Sequence, residues 1–85
     1  MLEYKFIIEE KRAVCFDDGI EIGECDFLEE GNSWNIIHTG VNSKYQGQGI
    51  ARKLVELVIQ KAKEFGKDLD AECSYAKKIL DNIYN

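Results

Sequence analysis

The chain has 85 residues, no proline, 45% apolar and 32% charged residues, and a formal net charge of −5. That length suits one domain with a thin core, burying roughly 60–65% of its unfolded surface, and the balance of apolar and charged residues excludes a disordered chain. The negative charge argues against nucleic acid as the main partner, because binders of a phosphate backbone carry basic patches.

No apolar run approaches the ~20 residues of a membrane span, so no membrane partner is expected. The opening Met1-Leu2-Glu3-Tyr4-Lys5 lacks the apolar stretch of a signal peptide. Cys15, Cys25 and Cys73 are odd in number and far apart, with no C-x-x-C pair. That pattern predicts a reduced, cytoplasmic protein without a metal site.

Residues 3–9 alternate, with Tyr4, Phe6 and Ile8 on one face, which predicts a half-buried strand. Arg12 to Phe16 reads as a second strand, and Asp17-Asp18-Gly19 as the turn that follows it. Ile20 to Leu28 is a third strand whose phase slips: Ile20 and Ile22 share one parity, Cys25 and Phe27 the other. Gly23 lies at the change, so a bulge or bend is expected there. After a turn at Glu29-Glu30-Gly31-Asn32, Ser33 to Val41 forms a fourth strand. Its pattern puts Trp34, Ile36 and His38 on one side and Ile37, Thr39 and Val41 on the other. Apolar groups on both sides predict a central strand covered on both faces.

Gln48 to Phe65 is the one long helix, with Ile50, Leu54, Leu57, Val58, Ala62 and Phe65 on its apolar stripe and Gly66 as its C-terminal stop. Lys67 to Cys73 reads as a short strand parallel to the fourth, because it follows a strand and a helix. Ser74 is the expected N-cap of a last helix from Tyr75 to about Ile83, striped by Tyr75, Ala76, Ile79, Leu80 and Ile83. The order β-β-β-β-α-β-α predicts an α+β domain spanning residues 1–85: a mixed, mostly antiparallel sheet with helices on its faces.

The stretch from Tyr45 to Leu54 carries the chemistry. Gly47 and Gly49 let backbone amides approach a ligand, and the helix that follows offers unpaired N–H groups and the positive end of its dipole. Such a turn suits a phosphate or pyrophosphate, and Lys44, Arg52 and Lys53 flank it. A dinucleotide fingerprint is a poorer fit: Asp68 lies at a suitable distance, but Arg52 occupies the third glycine position.

The residues Gln46-Gly47-Gln48-Gly49-Ile50-Ala51 fit Q/R-x-x-G-x-G/A, and here the chain resembles the GNAT superfamily of acyl-coenzyme A N-acyltransferases. The likeness extends to Trp34–Val41 (WNIIHTGV) and to Cys73-Ser74-Tyr75-Ala76-Lys77-Lys78, a combination similar to very short GNAT-like proteins. The resemblance implies a truncated GNAT fold in which acetyl-coenzyme A lies in a V-shaped gap between the fourth strand and the next. It implies that backbone near Val41 holds the pantetheine arm. Around the pyrophosphate it places Gly47 and the amides of Gln48, Gly49, Ile50 and Ala51, with Gln46 and Arg52 at the edge. The activity it implies is N-acetyl transfer to a small-molecule or protein amine; the alternative is a non-catalytic coenzyme A-binding or interaction module. Two departures stand out: larger members have two more strands completing the acceptor site, and short relatives often carry a proline where this chain has Ala71-Glu72. A monomer or weak homodimer is expected.

Three residues are candidates for catalysis, each with a structural alternative. Cys73 precedes a helix N-terminus, which raises its thiolate fraction; it is a candidate transient acyl acceptor or, as the thiol, a proton donor to the departing coenzyme thiolate, and otherwise a small buried residue. His38, the only histidine, suits a general base for an amine; otherwise it bonds into the sheet edge or packs beside Trp34. Tyr75 either protonates the departing thiolate or packs the last helix.

Overall fold

The computed structural model describes residues 1–84. Strand β1 (Leu2–Ile7) alternates as expected, Leu2, Tyr4 and Phe6 half-buried and Glu3 and Lys5 exposed. It is shorter than the predicted 3–9, because Ile8–Glu10 winds into a 3-10 turn closed by Lys11 N–H on the Ile8 carbonyl at 3.0 Å. Then follow β2 (Arg12–Asp17), β3 (Ile20–Glu30), β4 (Ser33–Val41), α1 (Ile50–Glu64), β5 (Asp68–Ala71) and α2 (Ser74–Tyr84). The sheet runs β1-β2-β3-β4-β5, antiparallel from β1 to β4 and parallel between β4 and β5. No described helix is long and apolar enough to cross a membrane.

Both helices pack on one face of this sheet. Ile50, Leu54, Val55, Val58, Ile59 and Ala62 from α1 join Ala76, Ile79 and Leu80 from α2 in a single buried cluster with Cys15, Cys25, Phe27, Trp34 and Ile36. Each large side chain in that cluster contributes about 1.5–3 kcal/mol by leaving water. Trp34 anchors its lower end, stacked on Phe27 at 4.2 Å between ring centroids and meeting Phe65 edge-on at 5.5 Å.

Among the described residues the opposite face carries no helix, which corrects the expectation of a sheet covered on both sides. Its centre is Arg12, held among Glu10 (3.4 Å), Glu24 (3.8 Å), Asp26 (3.6 Å) and Glu21. The apolar groups on both sides of β4 had a different cause. Across the β3–β4 ladder Asp26 faces His38 and Phe27 faces Ile36, so Ile37 is an extra, unpaired residue. This bulge resets the parity. Thr39 and Val41 fall on the helix side together with Trp34 and Ile36, and His38 falls on the open side; the predicted grouping of His38 with Trp34 is overturned. A second bulge, at Ile22, lies next to Gly23, where a bend was expected: Cys15 faces Gly23 while Phe16 faces Glu21.

Candidate active site

The site begins where β4 and β5 part. Their parallel register runs only from Ser33 opposite Asp68 to Ile36 opposite Ala71. Glu72 and Cys73 then both donate their N–H groups to the Ile36 carbonyl, at 2.9 and 3.1 Å, and the chain turns away into α2. Asn35 clasps that exit: Nδ2 donates to Glu72 Oε1 and Oδ1 accepts from Glu72 N–H, both at 3.1 Å. Beyond Ile36, β4 continues through Val41 without β5 beside it. The predicted strand Lys67–Cys73 is therefore cut to Asp68–Ala71, and the missing length is the gap.

The glycine turn follows the end of β4, at the same end of the sheet as this gap. Asn42 N–H donates to the Ile22 carbonyl at 2.7 Å, tying the end of β4 to β3. The Tyr45 hydroxyl donates to Asp17, which fastens the following 3-10 turn to the β2–β3 hairpin. Gly47 and Gly49 then take φ of 82° and 77°. No atom of the described residues lies within 4 Å of a Cβ built on either, so these glycines are required for their backbone angles.

Gly49 is the N-cap of α1, and no side chain caps the helix. The helix therefore starts two residues later than predicted, and Phe65 becomes its C-cap. The first helical bond runs from Lys53 N–H to the Gly49 carbonyl, at 3.1 Å, which leaves the amides of Ile50, Ala51 and Arg52 without helical acceptors. The Ile50 side chain is buried in the core, so only its backbone faces the turn, while Gln46 and Gln48 are exposed. The Arg52 side chain pairs with Glu56 at 3.1 Å, one turn along the helix. This end of α1 can bind an anion through amides, dipole and a nearby cation.

On the far side of the gap, Cys73 is the N-cap of α2: its carbonyl accepts from Lys77 N–H at 2.9 Å. Ser74, the expected cap, lies inside the helix and is exposed. The Cys73 thiol takes the place of a capping hydroxyl. Burial opposes its ionisation, but the Ala76 amide, the Thr39 hydroxyl, the Tyr75 amide and the Thr39 backbone together outweigh it and hold its pKa below the ordinary thiol value. The Cys73 thiol donates to Thr39 Oγ1 at 3.6 Å, and the Thr39 hydroxyl donates to Cys25 Sγ at 3.7 Å. Cys25 is fully buried, and burial pushes its thiol up to about 12, so it stays protonated. Sequence reasoning missed Thr39, because without the bulge at Ile37 its facing could not be read.

His38 is exposed and occupies the open face, opposite in direction to Thr39. Its ring lies back over Gly40, where an added Cβ would stand 3.0 Å from Nε2. Across the ladder sits Asp26, whose pKa is raised to about 6 by burial and by Glu24, against the opposing pull of Arg12 and His38. The structure thus brings Cys73 to Thr39 and His38 to Asp26, on two sides of β4, and does not bring Cys73 and His38 together on one face. Tyr75 is 43% exposed on the first turn of α2, and Ile83 is 42% exposed; neither belongs to the buried stripe predicted for them.

Comparison with known proteins agrees with this architecture. The family model described as GCN5-related N-acetyl-transferase matches residues 8–83. A GCN5-like protein from Staphylococcus aureus is 32% identical, with 94% of this chain and 78% of that one covered and a TM-score of 0.72. A GCN5-related N-acetyltransferase from Sphaerobacter thermophilus is 23% identical over 73% of this chain and 21% of that one, with a TM-score of 0.69. PaiA N-acetyltransferase from Thermoplasma acidophilum, solved in complex with coenzyme A, is 18% identical over 66% of this chain and 35% of that one, with a TM-score of 0.62. The latter two are likenesses of fold, and the chain spans well under half of either protein. None of the curated proteins matches the chain. The match along nearly the whole sequence and the likeness to the Staphylococcus protein show that the chain belongs to the GCN5-related N-acetyltransferase family.

Proposed function

We propose that this protein binds acetyl-coenzyme A and transfers the acetyl group to an amine. The observation that carries the reading is the meeting, at one end of the sheet, of an uncapped helix N-terminus and a strand whose edge β5 has left. The pyrophosphate would sit on the amides of Gln48, Gly49, Ile50 and Ala51, with Gly47 shaping the turn and Gln46 and Arg52 at its edge. The pantetheine arm would run along β4 near Val41, pairing with backbone as a strand does. The Thermoplasma protein of similar fold, solved in complex with coenzyme A, supports coenzyme A as the ligand.

Cys73 is the acyl acceptor in the first half of the reaction. Its thiolate attacks the thioester carbonyl, a new S–C bond forms, the carbonyl–sulfur bond to coenzyme A breaks, and the departing thiolate takes a proton, for which the hydroxyl of Tyr75 on the first turn of α2 is the candidate donor. Backbone N–H groups of β4 hold the negative charge that develops on the carbonyl oxygen. In the second half the amine attacks the acyl-cysteine from the open face of the sheet, Cys73 leaves as thiolate, and His38 removes the ammonium proton. Because β4 is an edge strand at this point, a carbonyl in the gap can be reached from both faces. Glu24 and Asp26 near His38 favour a cationic acceptor.

Intact mass after exposure to acetyl-coenzyme A tests the covalent step. Wild type gains one acetyl group and Cys73→Ala none; equal labelling of both removes Cys73 from the mechanism. Calorimetric titration with acetyl-coenzyme A tests the site itself, and absence of binding up to millimolar concentration rejects it. A second reading, a coenzyme A-binding module without efficient turnover, draws on the separation of His38 and Cys73 onto different faces. Release of free thiol across a panel of amines decides between the two: catalytic turnover supports the enzyme, and binding without turnover supports the module.

A further inference from the structure

Thr39 lies between two cysteines of opposite character. Its Oγ1 is 3.6 Å from Cys73 Sγ at the gap and 3.7 Å from Cys25 Sγ in the core. Cys25 is fully buried and Cys73 half-buried, so the hydroxyl joins a group open to the site to one that is closed off from solvent. A threonine hydroxyl has one proton to give and lone pairs to receive. It therefore cannot donate to both sulfurs at once, and the direction of the chain depends on the state of Cys73.

We propose that Thr39 is a positioning residue for Cys73, acting through a hydrogen-bond chain that reverses when Cys73 ionises. With Cys73 protonated, its S–H donates to Thr39 and Thr39 donates to Cys25, as in the structure. When the Cys73 proton leaves to solvent, the Thr39 hydroxyl rotates and donates to the Cys73 thiolate. The Cys25 S–H then turns to donate to the vacated side of Thr39 Oγ1. No proton moves between the three residues; only the two remaining X–H bonds rotate. Cys25 suits this part because it keeps its proton, and a hydrogen bond to an ionised acceptor is roughly twice as strong as a neutral one. Together with the Ala76 and Tyr75 amides, the hydroxyl fixes the sulfur on the gap side of α2. This assignment rests on the proposed role of Cys73 as nucleophile, but the chain itself can be tested without turnover.

The experiment measures the rate of Cys73 alkylation by iodoacetamide against pH, followed by mass spectrometry of the Cys73 peptide. Thr39→Val keeps the shape and removes the hydroxyl; Thr39→Ser keeps the hydroxyl. Far-ultraviolet circular dichroism checks that each variant is folded. The expected result is a midpoint about one unit higher in Thr39→Val, hence about tenfold slower alkylation near neutral pH, with Thr39→Ser close to wild type. Cys25→Ala, which removes the second donor, raises the midpoint by a smaller amount. A Thr39→Val midpoint equal to wild type overturns the proposal. Should Thr39→Val fail to fold, a Cys25→Ala midpoint identical to wild type overturns the reversing chain, and a raised one supports it. Failure of the functional reading shows separately: wild type then takes up no acetyl group from acetyl-coenzyme A although the midpoint still depends on Thr39.

Discussion

At the scale of single residues, two positions separate backbone requirement from chemistry. Gly49 holds a φ of 77° with open space around it, so an alanine there meets strain without a clash. Gly49→Ala is expected to cost about 1 kcal/mol of stability and to tilt the amides of Ile50 and Ala51. Acetyl-coenzyme A affinity should fall at least about tenfold by calorimetry, while the thermal midpoint drops by only about 4–8 °C. Cys73 gives the converse case. As the N-cap of α2 its sulfur accepts helix amides, a task that serine performs at least as well. Cys73→Ser should therefore match wild-type stability within about 0.5 kcal/mol in urea titration and still gain no acetyl group, because a serine hydroxyl stays un-ionised and attacks a thioester far more slowly than a thiolate. Cys73→Ala should lose about 1 kcal/mol as well as the adduct. A serine variant as unstable as the alanine variant would show that the thiol is not serving as a cap.

At the scale of elements, the bulge at Ile37 controls what the site contains. It adds one residue to β4 opposite Asp26 and bends the strand as β5 departs. Ile37 is 38% exposed, so its side chain contributes little to the core. Deleting Ile37 would pair Ile36, His38 and Thr39 in sequence against Phe27, Asp26 and Cys25, with every facing preserved. The expected outcome is a folded protein with an unchanged or higher thermal midpoint and much weaker acetyl-coenzyme A binding, because a straight β4 narrows the gap. Unaltered binding in that variant would separate the gap from the bulge. The same bulge marks the limit of what could be read from the sequence. The long helix was legible because Leu54, Val58 and Ala62 recur at helical spacing, and the glycine turn because Gly47 and Gly49 stand out beside it. The facing of His38 and Thr39 was not legible, since an irregularity of one residue inverts an alternating pattern and leaves no mark in composition. The cap of α2 was misplaced for a related reason. Residue preference favours Ser74, whereas the cap falls where β5 lets go of β4, and that point is set by Asn35 and the Ile36 carbonyl across the sheet.

At the scale of the whole molecule, the uncovered face of the sheet makes stability depend on pH. The helices bury one face, and the other concentrates Glu10, Glu21, Glu24 and Asp26 around a single Arg12. One guanidinium cannot compensate four carboxylates, and Asp26, the most enclosed of them, holds its proton up to about 6, compared with 3.8 for a free side chain. The folded state therefore keeps a proton that the unfolded chain gives up between about pH 4 and 6. By linkage, this group's contribution is full below the unfolded value and is lost as pH rises through the folded one. Because the carboxylate is partly wetted, the loss should amount to no more than about 1 kcal/mol. Asp26→Asn removes the titration. Its thermal midpoint should exceed that of wild type by a few degrees at pH 7–8 and converge with it below about pH 4. A constant offset across that range would assign the effect to packing instead. If the neutral-pH gain appears together with a weaker preference for cationic amines in the thiol-release assay, the destabilising charge is the same charge that attracts the acceptor. The open face would then be retained at a cost in stability because it serves the second half of the reaction.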